Sequence, residues 1–276
     1  MKKILITGHK GFIGKNLYTF LLKKKFKVKG FDLLSNKKFP IIKNFDWVIH
    51  LGANSSTTET NVEKIFKQNY EYSKMILNQC IKHNVNLQYA SSASVYDIKK
   101  GFEETSKCYP KSPYSWSKYL FDKYVERANY NIIVQGFRYF NVFGKNEKDK
   151  KDQASPVYKF IKQAIIKKKI KLFYNSDQYL RDFVCVDDVC KVHLQMLSQD
   201  TSGLFNVGRG NTLSFQKIAE SVSKKFSCKI EYIQMPKKIE NHYQKYTKAN
   251  IKKIKKYVKI KWIDPIKYIN KLTKVN

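Results

Sequence analysis

A short apolar run followed at once by a glycine-rich turn constrains the fold of this chain more than any other feature. Lys3–Thr7 is typical of a buried parallel strand. Gly8, Gly11 and Gly14 follow at three-residue spacing, before an amphipathic stretch over Lys15–Lys25. A strand, a G-x-x-G-x-x-G turn and a helix let backbone amides and a helix N-terminus hold a pyrophosphate. The alternative is an ordinary glycine-rich turn without a binding role, but the position of the motif at the start of a βαβ unit favours nucleotide binding.

The second strand-like run, Lys27–Asp32, ends in an acidic residue. In a dinucleotide fold, an acid at this position meets a ribose hydroxyl, so Asp32 favours NAD. Lys37 and Lys38 follow closely and could instead meet a 2'-phosphate, which favours NADP. These residues leave the choice of cofactor open.

The connection to the third strand is unusually short. Only thirteen residues, Leu33–Phe45, separate Asp32 from the apolar run Asp46–Leu51. A loop of this length can return along a strand of ~20 Å. It cannot also hold a full helix and another strand. We therefore predict that one edge unit of the sheet is missing or reduced to Phe39–Ile42.

The remaining chain alternates strand-like and helical segments, and helical periodicity runs from about Glu63 to Lys82. This alternation predicts an α/β fold with a Rossmann-type, doubly wound parallel sheet. We expect an NAD(P)-binding domain over residues 1–145, completed by about 182–208. A small α/β substrate-binding region is expected over 146–276, mainly 146–181 and 209–276.

The pair Tyr114 and Lys118 is the catalytic candidate. Six Tyr-x-x-x-Lys pairs occur in this lysine-rich chain, so the spacing alone indicates only a solvated helix face. Tyr114 is distinguished by its context, because Ser91–Ser92 ends the preceding strand and Pro113 opens the helix. The glycine-rich turn upstream supplies the matching nucleotide site.

This trio has a defined chemistry. A neutral tyrosine is a poor base, because its pKa is about 10. Lys118 lies one turn from Tyr114 on the same helix face, and its ammonium is expected to lower the pKa of Tyr114. A hydroxyl from Ser92 could orient a substrate alcohol. The arrangement suits moving a proton while a hydride leaves the same carbon.

Composition disfavours several classes of protein. The net charge of +32 could indicate nucleic acid or an anionic membrane. However, four of the 54 basic residues are arginine and the lysines are scattered, whereas nucleic-acid readers concentrate charge and use arginine. No apolar run approaches the ~20 residues of a membrane span. The five cysteines lack C-x-x-C spacing, so we expect no metal site and a cytoplasmic, reduced protein.

Motifs along nearly the whole chain resemble those of extended short-chain dehydrogenase/reductases that act on nucleotide sugars. The general motifs are Thr7-Gly8-x-x-Gly11-x-x-Gly14, Ser92-Ala-Ser-Val-Tyr96, Tyr114-x-x-x-Lys118 and Arg181-Asp-Phe-Val. More specific stretches are similar to the ADP-L-glycero-D-manno-heptose 6-epimerases, which make a precursor of the lipopolysaccharide inner core. These stretches are Ser55-Ser-Thr-Thr-Glu59, Gly136-Phe-Arg-Tyr-Phe-Asn-Val142, Ile230-Glu-Tyr-Ile233 and Tyr243-Gln.

The resemblance implies a tightly bound NADP, one per subunit, and inversion of C6 of an ADP-heptose through a transient ketone. Such an inversion needs an acid/base group on each side of C6. By resemblance, Tyr114 is the first of these groups, with Ser92 and Lys118 as its partners. Counting without gaps between Gly144 and Ala154 gives Lys150 as the second, with Lys148 and Lys151 as alternatives. A desolvated, cation-crowded pocket would help such a lysine to lose its proton.

The resemblance also implies contact residues. The expected cofactor-binding residues are Gly8, Gly11, Phe12, Ile13, Gly14, Asp32, Leu33, Lys38, Leu51, Gly52, Ala53, Asn54, Ser55, Gln68, Asn69, Lys118 and Val142. The expected substrate-binding residues are Asn141, Asp152, Lys159, Phe173, Tyr174, Asn175, Ser176, Arg181 and Tyr243. Arg181 suits a diphosphate or ribose contact through its planar fork, and an ion pair between elements is the alternative.

Departures from the family pattern keep rival functions open. The short segment after Asp32 removes a wall of the adenine site, and Lys159 replaces a family histidine. One alternative is a 4-epimerase or 4-reductase acting on another nucleotide sugar. Another is a polyanion-binding protein with a degenerate Rossmann fold, whose binding would depend steeply on salt. The expected partners are a nucleotide-diphosphate sugar and, in a homo-oligomer, further copies of the chain, with no nucleic acid and no membrane.

Overall fold

A six-stranded parallel sheet forms the centre of the molecule. The computed structural model describes residues 1–33, 39–56, 59–97, 101–236 and 244–273, and the side chains within these ranges except at 149, 151 and 152. In spatial order the strands are β2 (Lys27–Phe31), β1 (Lys3–Thr7), β3 (Trp47–His50), β4 (Asn86–Ser92), β5 (Val134–Tyr139) and β9 (Gly203–Val207). The predicted doubly wound parallel sheet is confirmed.

Helices cover both faces of this sheet. They are α1 (Phe12–Lys23), α2 (Val62–Phe66), α3 (Tyr72–Lys82), α4 (Pro113–Arg127) and α6 (Val186–Met196). Ile4 and Ile6 of β1 pack with Leu17 of α1 on one face, whereas Leu5 packs with Phe121 of α4 on the other. Because both faces are covered, β1 reads as an uninterrupted apolar run.

A second, smaller layer is built from the remaining elements. They are β6 (Asn141–Phe143), β7 (Lys169–Phe173), β8 (Leu180–Cys185), β10 (Thr212–Ser214), β11 (Lys229–Ile233), β12 (Tyr246–Thr247), α5 (Pro156–Lys167), α7 (Phe215–Phe226) and α8 (Pro265–Lys271). Strand β8 pairs antiparallel with β10 and parallel with β6 and β12, while β7 pairs parallel with β11. Phe160, Phe183 and Ile218 belong to its own buried apolar core.

The sheet ends at β2 within the described part of the chain, which confirms the prediction of a missing edge unit. Phe39–Ile42 does not form the reduced strand that was the alternative, because the chain there makes only a 3₁₀ turn, Ile42–Asn44. Phe39 packs edge-on against Phe31, with ring centroids 5.0 Å apart. Phe39 therefore packs on the last residue of β2, and among the described residues β2 pairs only with β1.

The predicted helix from Glu63 to Lys82 is interrupted. Between α2 and α3 the chain makes a π-helical turn, Lys67–Glu71, which inserts one residue into the helical register. In the ranges that the structure describes, no helix is long and apolar enough to cross a membrane. All five cysteines are free thiols.

Candidate active site

The glycine-rich turn brings the start of α1 against the carboxyl edge of the sheet. Gly8 has φ +72°, a conformation that favours glycine. A Cβ on Gly14 would lie 2.1 Å from the carbonyl oxygen of Gly8, so only glycine fits there. Gly11 caps α1 without a side-chain hydrogen bond, and the first amides of a helix have no intrahelical partner. These residues fit a pyrophosphate, as a bound dinucleotide requires.

Two adjoining cavities meet at this turn and share Gly8, Gly11, Leu51, Ala53 and Ser55 in their walls. The first, of about 610 Å³, is further lined by Thr7, Lys10, Asp32, Leu33, Gly52, Asn54, Lys64, Gln68 and Tyr72. The second, of about 460 Å³, is further lined by Phe12, Ile13, Gly14, Ser92, Tyr114, Lys118, Asn141, Val142, Lys150 and nearby residues. Together they form an elongated cleft along the edge of the sheet.

Tyr114 is held at the second cavity by the first turn of α4. Ser112 caps this helix: its hydroxyl accepts a hydrogen bond from the amide of Ser115, whose side chain accepts one from the amide of Ser112. Pro113 at the first helical position restricts the turn further. Ser92, at the end of β4, lines the same cavity, and its side chain acts to lower the pKa of the Tyr114 phenol.

Lys118 completes the trio from the next turn of α4. It is 5% exposed, and its Nζ donates a hydrogen bond of 2.9 Å to the carbonyl oxygen of Ala90. Burial lowers the pKa of Lys118 to about 8, against the opposing effect of the Asp122 carboxylate. Asp122 is itself buried and paired with Arg138, whose Nε lies 3.0 Å from Oδ2. The structure thus brings together Tyr114, Lys118 and Ser92.

The expected effect of Lys118 on Tyr114 is wrong for the protein alone. Burial raises the pKa of the Tyr114 phenol, and only the side chain of Ser92 opposes this shift. The spacing of the two side chains indicates only the effect of the charge, whereas burial removes water from the phenol and disfavours the phenolate.

Lys150 reaches the second cavity from a different element, the 3₁₀ turn Lys148–Gln153 in the loop after β6. Its Nζ lies 4.8 Å from the centroid of the Phe12 ring and 3.7 Å from Oε2 of Glu147. Burial lowers the pKa of Lys150; the carboxylate of Glu147 opposes this shift and the charge of Lys159 reinforces it. Lys148 is exposed, and the side chain of Lys151 lies outside the described residues.

Comparisons with known proteins agree with this geometry. Residues 4–208 match the NAD dependent epimerase/dehydratase family. The chain belongs to this family. It is 36% identical over 287 residues to the ADP-L-glycero-D-manno-heptose-6-epimerase of Brachyspira hyodysenteriae, an alignment that covers 91% of this chain and 90% of that protein.

Solved structures of epimerases share the fold of this family member. The ADP-L-glycero-D-manno-heptose-6-epimerase of Helicobacter pylori superposes with a TM-score of 0.83 at 28% identity, over 97% of this chain and 94% of that one. The UDP-N-acetylglucosamine 4-epimerase of Methanobrevibacter ruminantium gives a TM-score of 0.86 at 21% identity, over 98% and 97% of the two chains. At that identity the second likeness concerns the fold alone.

Nearly all cofactor residues predicted for this NAD dependent epimerase line the two cavities. The exception among described residues is Asn69, which is buried beneath the cleft in the π-helical turn. Its Oδ1 accepts from the amide of Asn54 at 2.7 Å, and its Nδ2 donates to the carbonyl of Asn54 at 3.0 Å. Asn69 therefore fixes the loop after β3 rather than lining the cleft. Lys38 lies outside the described residues.

The predicted substrate-binding residues, in contrast, do not all line the two cavities. Asn141 lines the second cavity, and its Nδ2 donates to Thr247 Oγ1 at 3.2 Å. The others belong to the second layer: Lys159 on α5, Phe173 at the end of β7, then Tyr174, Asn175 and Ser176, and Arg181 on β8. Arg181 is buried, with its guanidinium 5.4 Å from the centroid of the Phe215 ring. Tyr243 and the side chain of Asp152 lie outside the described residues.

Several residues in or beside the two cavities escaped sequence reasoning. Tyr72 lines the first cavity, and its hydroxyl is buried without a hydrogen-bond partner. Lys10 and Lys64 line the same cavity, and Glu147 contacts Lys150. Lys10 stands inside the glycine motif and could have been noticed. The other three are placed by tertiary packing, and no local pattern marks them.

Proposed function

We propose that this chain inverts C6 of an ADP-manno-heptose through a transient ketone, in the synthesis of a lipopolysaccharide inner-core precursor. The observation that carries the proposal is that Tyr114 and Lys150 line one cavity from two different elements. A sugar bound there could meet an acid/base group on each side of the reacting carbon, as inversion requires. The heptose epimerase that is 36% identical over 91% of the chain supports the choice of substrate.

Tyr114 would exchange a proton with the C6 hydroxyl, which Ser92 would orient. Bound NAD(P) supplies the acceptor and donor of the hydride. Because burial raises the pKa of Tyr114, the phenol needs a nearby cation in order to act as a base. Lys118, whose pKa is about 8, is still mostly charged at neutral pH and lies one turn away.

Lys150 would act as the acid/base group on the opposite face of C6. Burial lowers its pKa, which makes the neutral amine accessible nearer to physiological pH. In one direction of the reaction Lys150 accepts the proton and Tyr114 donates one, and in the other direction the roles exchange. The sugar returns to the alcohol with no net oxidation.

NADP, one per subunit, is the proposed cofactor, with NAD as the alternative. Gly8, Gly11 and the first turn of α1 would hold the pyrophosphate. Asp32 in the first cavity suits a ribose hydroxyl, whereas Lys10 and Lys64 in the same cavity suit a phosphate. Leu33, Leu51 to Ser55, Gln68, Phe12, Ile13, Gly14, Lys118 and Val142 would complete the contacts.

The second layer would hold the ADP-sugar. Asn141 in the cavity, and Asp152, Lys159, Phe173 to Ser176, Arg181 and Tyr243 beyond it, are the proposed contacts. Buried Arg181 on β8 suits the diphosphate. We propose that residues 146–181 and 209–276 form this substrate region and that 1–145 with 182–208 form the cofactor region. A homo-oligomer acting in the cytoplasm is the proposed context.

Proton NMR of the protein incubated with each ADP-heptose epimer tests the proposal. We expect each epimer to convert into the same equilibrium mixture, without added cofactor, because the cofactor stays bound. Lys150→Met should lose this conversion while keeping co-purifying NAD(P), measured by absorbance and fluorescence. Lys148→Met, at an exposed neighbouring position, is the matched control and should remain active.

Two results would contradict the proposal. Failure to interconvert the epimers, with inversion or reduction at C4 of another nucleotide sugar, would favour a 4-epimerase or 4-reductase. Steeply salt-dependent binding to RNA or DNA without any bound nicotinamide would favour a polyanion-binding protein.

A further inference from the structure

The loop between β6 and α5 contains a buried glutamate beside Lys150. Glu147 is completely buried. Its Oε1 accepts hydrogen bonds from the amide of Gly144 at 2.8 Å and from the hydroxyl of Ser155 at 2.9 Å. Its Oε2 accepts from the amide of Ser155 at 2.7 Å. One carboxylate therefore ties together the two ends of the loop that bears Lys150.

The same loop is fastened to α1 at its start. Asn16 is buried, and its Nδ2 donates to the carbonyl of Lys145 at 3.1 Å. The side chain of Asn146 donates to Asn16 Oδ1 at 3.0 Å. Because α1 also carries the glycine turn, these contacts fix the loop relative to the cleft.

Closing the loop does not by itself require a charge. The three donors around Glu147 are two amides and a hydroxyl, and a neutral acceptor could satisfy most of them. A buried carboxylate is costly unless a cation compensates for it. The cation at hand is Lys150, whose Nζ lies 3.7 Å from Oε2 and whose side chain is 22% exposed. The backbone amide of Lys150 also donates to the carbonyl of Glu147 at 3.0 Å.

We propose that Glu147 is a positioning residue for the second acid/base group: it holds Lys150 at the cleft, beside Phe12, and stabilises its ammonium form between turnovers. This inference deepens the proposed function and rests on it for the role of Lys150. Removing the charge of Glu147 should make Lys150 lose its proton at lower pH, because an opposite charge at this distance favours the charged amine.

The other groups around Lys150 do not replace Glu147. Lys159 on α5 acts in the opposite sense, since its charge disfavours a second ammonium. Phe12 on α1 offers only its ring face, at 4.8 Å. Tyr114 and Lys118 on α4 line the same cavity, and neither is an anion at neutral pH. Asp149, Lys151 and Asp152 share the loop, and their side chains lie outside the described residues.

Acetylation of Lys150 by a trace of acetic anhydride tests the inference on the holoenzyme, because only the neutral amine reacts. The extent of labelling on the Lys150 peptide is measured by mass spectrometry as a function of pH. In Glu147→Gln we expect the midpoint to move to lower pH by about one unit or more. The Lys150 limb of the pH–rate profile for epimerisation should move in the same direction.

Ser155→Ala separates charge from loop structure. It removes one hydrogen bond to Glu147 and the cap of α5, but keeps the carboxylate. We expect Ser155→Ala to lower activity and thermal stability without moving the labelling midpoint. If Glu147→Gln does not fold, Glu147→Asp, which withdraws the carboxylate by one methylene, should give a smaller shift in the same sense.

An unmoved midpoint, or a shift to higher pH, in the Glu147 variant would overturn the inference. A midpoint shift in Ser155→Ala as large as that in Glu147→Gln would also overturn it. The labelling midpoint does not depend on the substrate. A protein that shows the expected shift but does not epimerise ADP-heptose would therefore refute the proposed function alone.

Discussion

Among single residues, the hydroxyl of Tyr114 has the largest proposed part in the reaction. Tyr114→Phe removes the proton carrier but keeps the ring and the helix start. We expect turnover to fall on the order of 10²- to 10⁴-fold, because general acid–base catalysis contributes about that much. Co-purifying NAD(P), followed by absorbance, should be unchanged.

The matched control is Tyr119→Phe. Tyr119 and Lys123 form another Tyr-x-x-x-Lys pair on the same helix, where Lys123 binds Glu126 at 2.6 Å instead of facing the cleft. We expect this variant to keep its activity. Equal loss in both variants would mean that the context of Tyr114 carries no catalytic role.

The burial of Lys118 should make the free energy of unfolding depend on pH. Its pKa is lowered from 10.5 to about 8, so between these values the unfolded chain binds more protons than the folded one, and stability rises with pH. At pH 7 the buried ammonium therefore costs about 3 kcal/mol. Lys118→Met should raise the free energy of unfolding by up to about that amount at pH 7, and the gain should vanish near pH 10.5.

Urea denaturation at pH 7, 9 and 10 measures this effect. Lys123→Met, at an exposed position of α4, is the control and should change stability little at any of these pH values. A gain from Lys118→Met that did not depend on pH would argue against burial of a charged amine at this site.

At the scale of elements, the turn between β1 and α1 should tolerate no side chain at Gly14. The Cβ of an alanine would meet the backbone of Gly8 at 2.1 Å, so the turn would have to move. We expect Gly14→Ala to lose co-purifying cofactor and to destabilise the protein by about 1–3 kcal/mol in denaturant titrations. Gly11→Ala, whose Cβ would lie 3.3 Å from Gly8 O, should lose less. A greater loss of cofactor and stability in Gly11→Ala than in Gly14→Ala would contradict the close approach of Gly14 to Gly8.

Elements with local signals could be predicted from the sequence, and those that depend on distant partners could not. Ser112, Pro113 and the glycine turn mark the starts of α4 and α1 within a few residues, so both helices and the trio at Tyr114 were accessible. The π-helical turn at Lys67–Glu71 is different, because Asn69 is held there by Asn54, fifteen residues away. In the sequence, Glu147 is one acidic residue of a charged loop. Only the folded structure shows that Ser155 and Lys150 surround it.

At the scale of the whole molecule, two buried histidines should limit stability in acid. Burial lowers the pKa of His50, with help from the charge of Lys118, and that of His193, each to about 3. The unfolded chain takes up these protons near pH 6.5, whereas the folded protein does not until about pH 3, so stability falls as the pH drops through this window. The loss should reach about 2 kcal/mol per histidine by pH 5.

Urea midpoints at pH 7 and pH 5 check this expectation. His193→Gln, which keeps a polar side chain beside Tyr139 and Gln88, should flatten the pH dependence by about half even if it lowers stability at pH 7. Equal unfolding free energies at the two pH values would contradict the burial of neutral imidazoles. Sequence could not have predicted this effect, because neither histidine is marked by its neighbours in the chain.

In the proposed mechanism, Tyr114 and Lys150 face the same carbon from two sides. A crystal structure of the Tyr114→Phe holoenzyme with an ADP-heptose tests it most directly. We expect C6 between the ring of residue 114 and Lys150, with the C6 hydroxyl of one epimer within about 2.6–3.2 Å of Lys150 Nζ. A sugar that places C4 there instead, or a Lys150 on the same side of the sugar as residue 114, would contradict the account.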